Sequence, residues 1–329
     1  MIKNSTSFSS LISSYLTKVG QFVDSYLHPI EYKRKVSQEI RNYRKKIKIY
    51  DIFNFFNEIE LLEVRLNILN KHVDYFVIVE STLTHSGLPK ELYFNKNKRL
   101  FSKFKNKIIH LIIEVPIRDF DDAKQRLANA KTPQFEKDIL SYALSSKNVP
   151  SDAPHFLRDF YEKEYVKKAL LNLNDNDICF ISDLDEIWNP ETVIDFRVDT
   201  VFKLKQDVYT YYLNNRSSEL WAGTIVTKYK NIKDSCLNHL RSKNLTKHRY
   251  IANGGWHFTF QGGADRVKQK LASYSHQEFN NSSIKSQVKD RIGENKDILN
   301  RNFKYWIDSS NLPDYLIKNQ ARYKKFFKK

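Results

Sequence analysis

The run Cys179-Phe180-Ile181-Ser182-Asp183-Leu184-Asp185-Glu186-Ile187 constrains this chain most: an apolar stretch stops abruptly in a cluster of acids. Its apolar residues suit a buried strand, and Asn174, Asp175, Asn176 and Asp177 mark the turn that feeds it. Ligands of α/β sheets bind at strand ends. Asp183 and Asp185, one residue apart, offer two carboxylates that can hold a hard divalent cation together with oxygens of a bound diphosphate. A solvated acidic turn reads the same over so short a stretch, so the remainder of the chain has to decide.

Ile49 to Phe53 reads as a first strand and Asn57 to Leu69 as a helix. Ile59, Leu62, Leu66 and Leu69 share a face of that helix, and Glu58 and Glu60 occupy its first turn. Val73 to Glu80 and Lys107 to Val115 read as further strands. Residues 116–156 lose the apolar rhythm and read as an insertion of charged helical pieces. Phe156 to Leu173 is a helix leading into the acid-tipped strand. Strand–helix alternation argues an α/β layered sheet with crossover helices. The second half is richer in strands. Val201 to Leu213 and Trp221 to Tyr229 read as antiparallel strands, and Ile251 to Phe260 as another, interrupted by Gly254 and Gly255. Ala264 to Ser273 reads as a short helix. The expected organisation is a helical extension at 1–48, one α/β domain with a mixed central sheet at 49–315, and a basic tail at 316–329.

With 329 residues, 41% hydrophobic and 28% charged, the chain can bury a full core and is not disordered overall. Gly and Pro, at 8 each, are too scarce for a turn-dense all-β protein. The net charge of +17 calls for an anionic partner: nucleic acid, anionic lipid or a phosphorylated substrate. No zinc-ligand spacing or RNA-binding signature accompanies the charge, so nucleic acid is not expected. No apolar stretch approaches the roughly 20 residues of a membrane span. Two cysteines, Cys179 and Cys236, give no disulfide framework, and a reducing, cytoplasmic location is expected. Phe8, Leu11, Tyr15, Val19, Phe22 and Tyr26 recur at helical spacing, and eight basic residues follow between Lys33 and Lys48. Such a pair either attaches a protein peripherally to the inner face of an anionic membrane or packs on the catalytic domain or on another protomer.

Five segments, in this order, resemble glycosyltransferase family 17. They are Tyr50 to Glu58 with Leu61 to Leu66; Val73 to Ser81; Ile181 to Ile187; Gly254-Gly255-Trp256-His257-Phe258; and Ser275-His276-Gln277-Glu278-Phe279-Asn280. The resemblance runs from about residue 49 to about 315. It implies a GT-A-like nucleotide-sugar-binding fold, a UDP-sugar donor and a divalent cation, Mn²⁺ or Mg²⁺. For the animal members it also implies transfer of N-acetylglucosamine with inversion, and so UDP-GlcNAc as the donor and a glycan acceptor; at a membrane surface a lipid-linked acceptor is expected. A metal-dependent phosphohydrolase or nucleotidyltransferase is the alternative reading of strand-end carboxylates, although two-metal sites need more ligands than this motif offers.

The residues then take candidate roles. Asp185, with Asp183, is expected to coordinate the metal, and Glu186 to support the pair. His257 is a further candidate ligand, because Gly262-Gly263 and then Lys268 or Lys270 follow it as a diphosphate segment would. A core histidine is the plain alternative, and His276 is the second candidate. Glu80, at a strand tip, is a candidate for uridine or ribose; Lys90 and Arg158 are candidates for the diphosphate. Inversion needs a general base. Asp265, Glu278 and Glu219 are the candidates, and Asp265 also has a helix-dipole explanation. Trp221 and Trp256 would either stack on sugar or pack the core.

Overall fold

A computed structural model describes residues 38, 39, 42–242 and 248–328. The amphipathic stretch expected before residue 38 lies outside them, as does most of the basic segment's start. The chain divides into two compact units. In the smaller, Met1–Ile47 with Asp195–Val198, Arg197 pairs with Glu39 at 2.9 Å and Asp195 at 2.8 Å. The larger, Lys48–Ile194 with Asp199–Lys329, carries all that follows.

Its first half alternates as the apolar pattern dictates: β1 (Ile49–Asn54), α1 (Ile59–Leu69), β2 (Tyr75–Ser81), α2 (Tyr93–Asn97), β3 (Ile108–Ile113), α3 (Phe120–Ala128), α4 (Gln134–Ser145), α5 (Pro154–Tyr165) and β4 (Ile178–Asp183). The second half holds β5 (Glu186–Trp188), β6 (Phe202–Leu204), β7 (Gln206–Thr210), β8 (Asn215–Trp221), β9 (Ile225–Lys228), α6 (Leu237–Arg241), β10 (Arg249–Ile251) and β11 (Gly255–Thr259). It closes with α7 (Ala264–Ser273), α8 (Ser282–Gly293), β12 (Tyr305–Ile307) and α9 (Asp314–Lys318).

Among the described residues the strands form two sheets, ordered β10-β6-β9-β4-β1-β2-β3 and β12-β8-β7-β11-β5. β4, β1, β2 and β3 run parallel, while β9 is antiparallel to both β4 and β6, so the larger sheet is mixed. The chain leaves β1 towards β2 and β3 and then returns to the other side of β1 as β4. This reversal puts a topological switch point between β1 and β4, where α/β sheets bind ligands. Asn54, last in β1, pairs in register with Asp183, last in β4. The acidic turn therefore stands at the mouth of that switch.

One core cluster joins Ile52, Val77, Cys179 and Ile181 of the sheet to Ile139, Leu140 and Ala143 of α4 and Leu157 and Phe160 of α5. The stretch read as an insertion thus supplies helices that cover the sheet. Three expected strands are each two. Val201 to Leu213 divides at Lys205, because β6 joins the larger sheet and β7 the smaller. Trp221 to Tyr229 breaks at Gly223, where a Cβ would collide with the Glu186 carboxylate and the Trp221 indole. Ile251 to Phe260 breaks before Gly255, whose φ of +136° and closeness to the Ile187 carbonyl leave no room for a side chain. The described residues of the expected basic tail are packed. Leu316, Tyr323 and Phe326 are buried, and Arg322 and Lys325 pair with Glu63 and Glu60 of α1.

Candidate active site

A cavity of about 670 Å³ opens at the carboxyl ends of β1, β2 and β4. Asp183, Asp185, His257 and Lys270 line it, together with Lys90, Lys163 and Arg241. The turn that carries the acids is held from beneath by Arg65, which is fully buried on α1. Its Nε and Nη2 donate to both oxygens of Asp51, at 2.8 and 2.7 Å. Its Nη1 reaches the backbone carbonyls of Asp183 (2.8 Å), Leu184 (3.0 Å) and Glu186 (3.0 Å). Nη2 also donates to Ser182 Oγ at 2.6 Å. One guanidinium thus fixes the backbone of the whole acidic turn.

Asp183 and Asp185 each have their own counter-charge. Arg241 Nη1 donates to Asp183 Oδ1 at 2.9 Å, and Lys270 Nζ to Asp185 Oδ2 at 2.7 Å. His257 Nε2 lies 3.7 Å from the same Asp185 oxygen. Burial opposes ionisation of Asp183, but Arg241 and Lys163 outweigh it and keep its carboxyl well below the usual range. For Asp185, Lys270 and His257 overcome burial in the same way. Glu186 behaves oppositely: fully buried and near Asp183, its carboxyl is held above the usual range. It accepts from Trp221 Nε1 at 2.6 Å and from Arg241 Nη2 at 3.2 Å, and so anchors two cavity residues from behind.

His257 stands on β11 beside Asp185, with its ring 5.0 Å from the Trp221 ring. Its Nδ1 is buried without a hydrogen-bond partner, while Asp185 and Glu186 outweigh the effect of burial and raise its pKa. Of the two lysines considered after the glycine pair, Lys270 faces the acids and Lys268 does not line the cavity. Gly262 and Gly263, at φ +98° and +87°, turn the chain from β11 into α7 and are not part of the cavity wall. Lys90 does line it, donating to the Phe56 carbonyl at 3.3 Å with Glu80 at 3.9 Å.

Other expected site residues have different posts. Glu80 is fully buried; it accepts from the backbone N–H groups of Phe94 (2.8 Å) and Asn95 (3.1 Å) and contacts His110 at 2.9 Å. It caps α2 instead of meeting a nucleotide. Arg158 donates to the carbonyls of His85 and Arg118 and does not face the cavity, because its guanidinium ties two loops together. Asp265 is exposed in the first turn of α7, away from the cavity, which leaves it the helix-dipole role. Trp256 is buried and donates to the Asn311 carbonyl, a core role, whereas Trp221 lines the cavity. Glu219 lines it too, 3.6 Å from Arg301. His276 lies on the cavity wall, but its carboxylate partner is Glu278 at 2.8 Å, and no contact joins it to Asp183 or Asp185. Its partner is thus Glu278, not the acid pair that the expected metal site would use.

Sequence reasoning missed Arg65, Arg241 and a cluster on α5. There Lys163 binds Asp159 at 2.9 Å, and His85 lies 3.1 Å from Glu162 and 3.5 Å from Asp159. Of these, only Arg65 carried a signal: it is a charge set among Val64, Leu66 and Leu69 on a helix that must be buried.

Residues 32–131 match the family model of Glycosyltransferase family 17. Over that stretch, under a third of its length, the chain is similar to this family. The matched stretch takes in β1, β2 and β3 with α1, α2 and α3, and ends before the acidic turn. Comparison with curated proteins gave no match. The match supports a glycosyltransferase; a nucleotide-sugar donor and a glycan acceptor are what that family implies.

Among the described residues, no three His, Cys, Asp or Glu side chains gather as a metal-binding group. Divalent cations that serve nucleotides are commonly held by one or two carboxylates, the remaining positions going to phosphate and water. Asp183 and Asp185 at a cavity mouth fit that pattern. Binding through Asp185 Oδ2 would require Lys270 to release it.

Proposed function

We propose that this protein is a metal-dependent glycosyltransferase that moves N-acetylglucosamine from UDP-GlcNAc to a glycan or lipid-linked acceptor, with inversion, on a GT-A-like fold. The observation that carries this reading is the pair Asp183 and Asp185 at a topological switch point, facing a cavity that Lys90, Lys163, Arg241 and Lys270 also line. Such a cavity suits a nucleoside diphosphate: acids for a cation, and bases for the phosphates it does not neutralise.

Asp185 and Asp183 would hold Mn²⁺ or Mg²⁺, and the cation would supply Lewis-acid neutralisation of the leaving diphosphate. The chain's own groups do the remaining work. Lys270, released from Asp185, stays within reach of a diphosphate as a point charge. Arg241 keeps Asp183 ionised, and Arg65 holds both acids in register. Trp221, fixed through its indole N–H by Glu186, offers an aromatic face beside His257. For location we propose the cytoplasm and peripheral attachment through the basic stretch ending at Lys48, at roughly 1 kcal/mol per charge near an anionic surface.

The test is a donor panel of UDP-, GDP- and TDP-sugars with product release measured with and without Mn²⁺, on the parent and Asp185→Ala. UDP-GlcNAc turnover that needs the cation and falls at least about 100-fold in the variant supports the proposal. Full turnover in EDTA, or an unimpaired variant, removes the metal site. Hydrolysis indifferent to every acceptor would point to a phosphohydrolase instead.

A further inference from the structure

We infer that His276, oriented by Glu278, is the general base that activates the acceptor hydroxyl, and that the aromatic wall around it is the acceptor-sugar subsite. This rests on the glycosyltransferase reading above and adds to it a residue and a location.

Three observations converge here. First, His276 and Glu278 form a carboxylate–imidazole pair, with Nδ1 to Oε1 at 2.8 Å. An Nδ1–H donated to Glu278 leaves the Nε2 lone pair free to accept a proton, which is how a carboxylate fixes the tautomer of a basic histidine. Second, of the two, His276 lines the cavity and Glu278 does not, so the imidazole is the member of the pair that a substrate in the cavity meets. Third, the ring is set among aromatics that also line the cavity: Phe156 edge-on at 5.3 Å, Tyr274 at 5.7 Å and Phe279 at 6.2 Å. Aromatic faces with a few polar groups among them are what an orienting pocket for a sugar needs. The polar groups are Glu219 and Arg301 and the Tyr274 hydroxyl, which is buried without a hydrogen-bond partner. The titratable groups beside His276 are Glu278 and Tyr274 on its own segment and His155 from α5.

The three carboxylates proposed from sequence fit the role less well. Asp265 and Glu278 are not part of the cavity wall, while Glu219 is matched by Arg301. The step balances simply. The acceptor O–H proton passes to His276 Nε2 as its oxygen bonds to the anomeric carbon. The bond from that carbon to the β-phosphate oxygen breaks, and UDP leaves with the electron pair. The imidazolium then returns its proton to water.

The experiment uses the full chain, UDP-GlcNAc with Mn²⁺, and a panel of p-nitrophenyl glycosides as acceptors. Donor binding is measured separately by calorimetry with UDP. His276→Ala should lose at least about 100-fold in kcat for transfer, the usual span of general-base catalysis. It should keep its affinity for UDP within twofold, and added imidazole should restore part of the rate. Glu278→Gln should lower kcat with little change in acceptor KM, and Glu278→Asp should recover part of it. Transfer by His276→Ala within a few-fold of the parent overturns the inference. So does loss of transfer together with UDP binding and without imidazole rescue, which would mark a structural role. A parent protein that turns over no nucleotide sugar would instead defeat the glycosyltransferase reading itself.

Discussion

Replacing Arg65 by Met tests whether the acidic turn is held by a buried charge. The side chain is fully buried, and so is its partner Asp51, so Arg65→Met strands an ionised carboxylate inside the sheet. Breaking a buried pair by removing one partner costs about 3–5 kcal/mol. At roughly 2–3 °C per kcal/mol for a domain of this size, melting should fall by about 6–15 °C. The carbonyls of Asp183, Leu184 and Glu186 lose their donor at the same time. The turn is then free to shift, and a displacement of about 1 Å at a reacting centre costs on the order of 100-fold in rate. Stability and activity can be separated. Asp51→Asn placed in the Arg65→Met protein removes the stranded charge while still accepting from Trp188 Nε1, so stability should recover in part. Turnover should not, because no donor reaches the turn. Denaturant unfolding and UDP-sugar turnover on the parent, both single variants and the double variant give the coupling directly. A loss below about 1 kcal/mol in Arg65→Met, or a double variant that regains turnover along with stability, refutes the reasoning.

Three other outcomes follow from particular residues. Glu60 is paired with Arg266 and Lys325, and although burial opposes it, these hold its pKa at about 2 against an ordinary 4.5. Its contribution is therefore present above about pH 4.5 and lost as pH falls towards 2. Acid unfolding of Glu60→Gln should show a shallower pH dependence in that window, and an unchanged slope would remove the pair from the account. Burial pushes the thiols of Cys179 and Cys236 up, the second to about 12, with Glu164 adding to the effect there. Ellman's reagent at pH 8 should label the native protein slowly and the unfolded protein fast; rapid native labelling would contradict the burial. A chain beginning at Ile47 should keep UDP-GlcNAc turnover and lose low-salt sedimentation with anionic vesicles. Unchanged sedimentation would assign binding elsewhere.

The alternating half of the fold was legible because each strand there is a largely apolar run between polar turns, so β1, β2, β3 and β4 match the stretches read from sequence to within a residue or two at each end. The strand-rich half was not, and for a single reason repeated three times. An apolar run specifies burial but not which sheet receives it, so β6 and β7 share one run and part at Lys205. The site shows the same division. Asp183 and Asp185 announce themselves by ending an apolar strand, and Lys270 by following a glycine pair. Arg241 does not, since nothing in Leu237–Arg241 marks it as the partner of an acid 58 residues earlier. Glu80 illustrates the opposite error: an acid at a strand tip has the same signature whether it meets a ribose or the N–H groups of a helix start. Only the path of the chain after the strand decides between them, and here Tyr93–Asn97 returns to cap it. The His276–Glu278 pair lies between these cases. Two residues apart in sequence, they were legible singly as a ligand and a base. Their joint meaning rests on the short turn that brings Nδ1 to Oε1 and on which of them looks into the cavity.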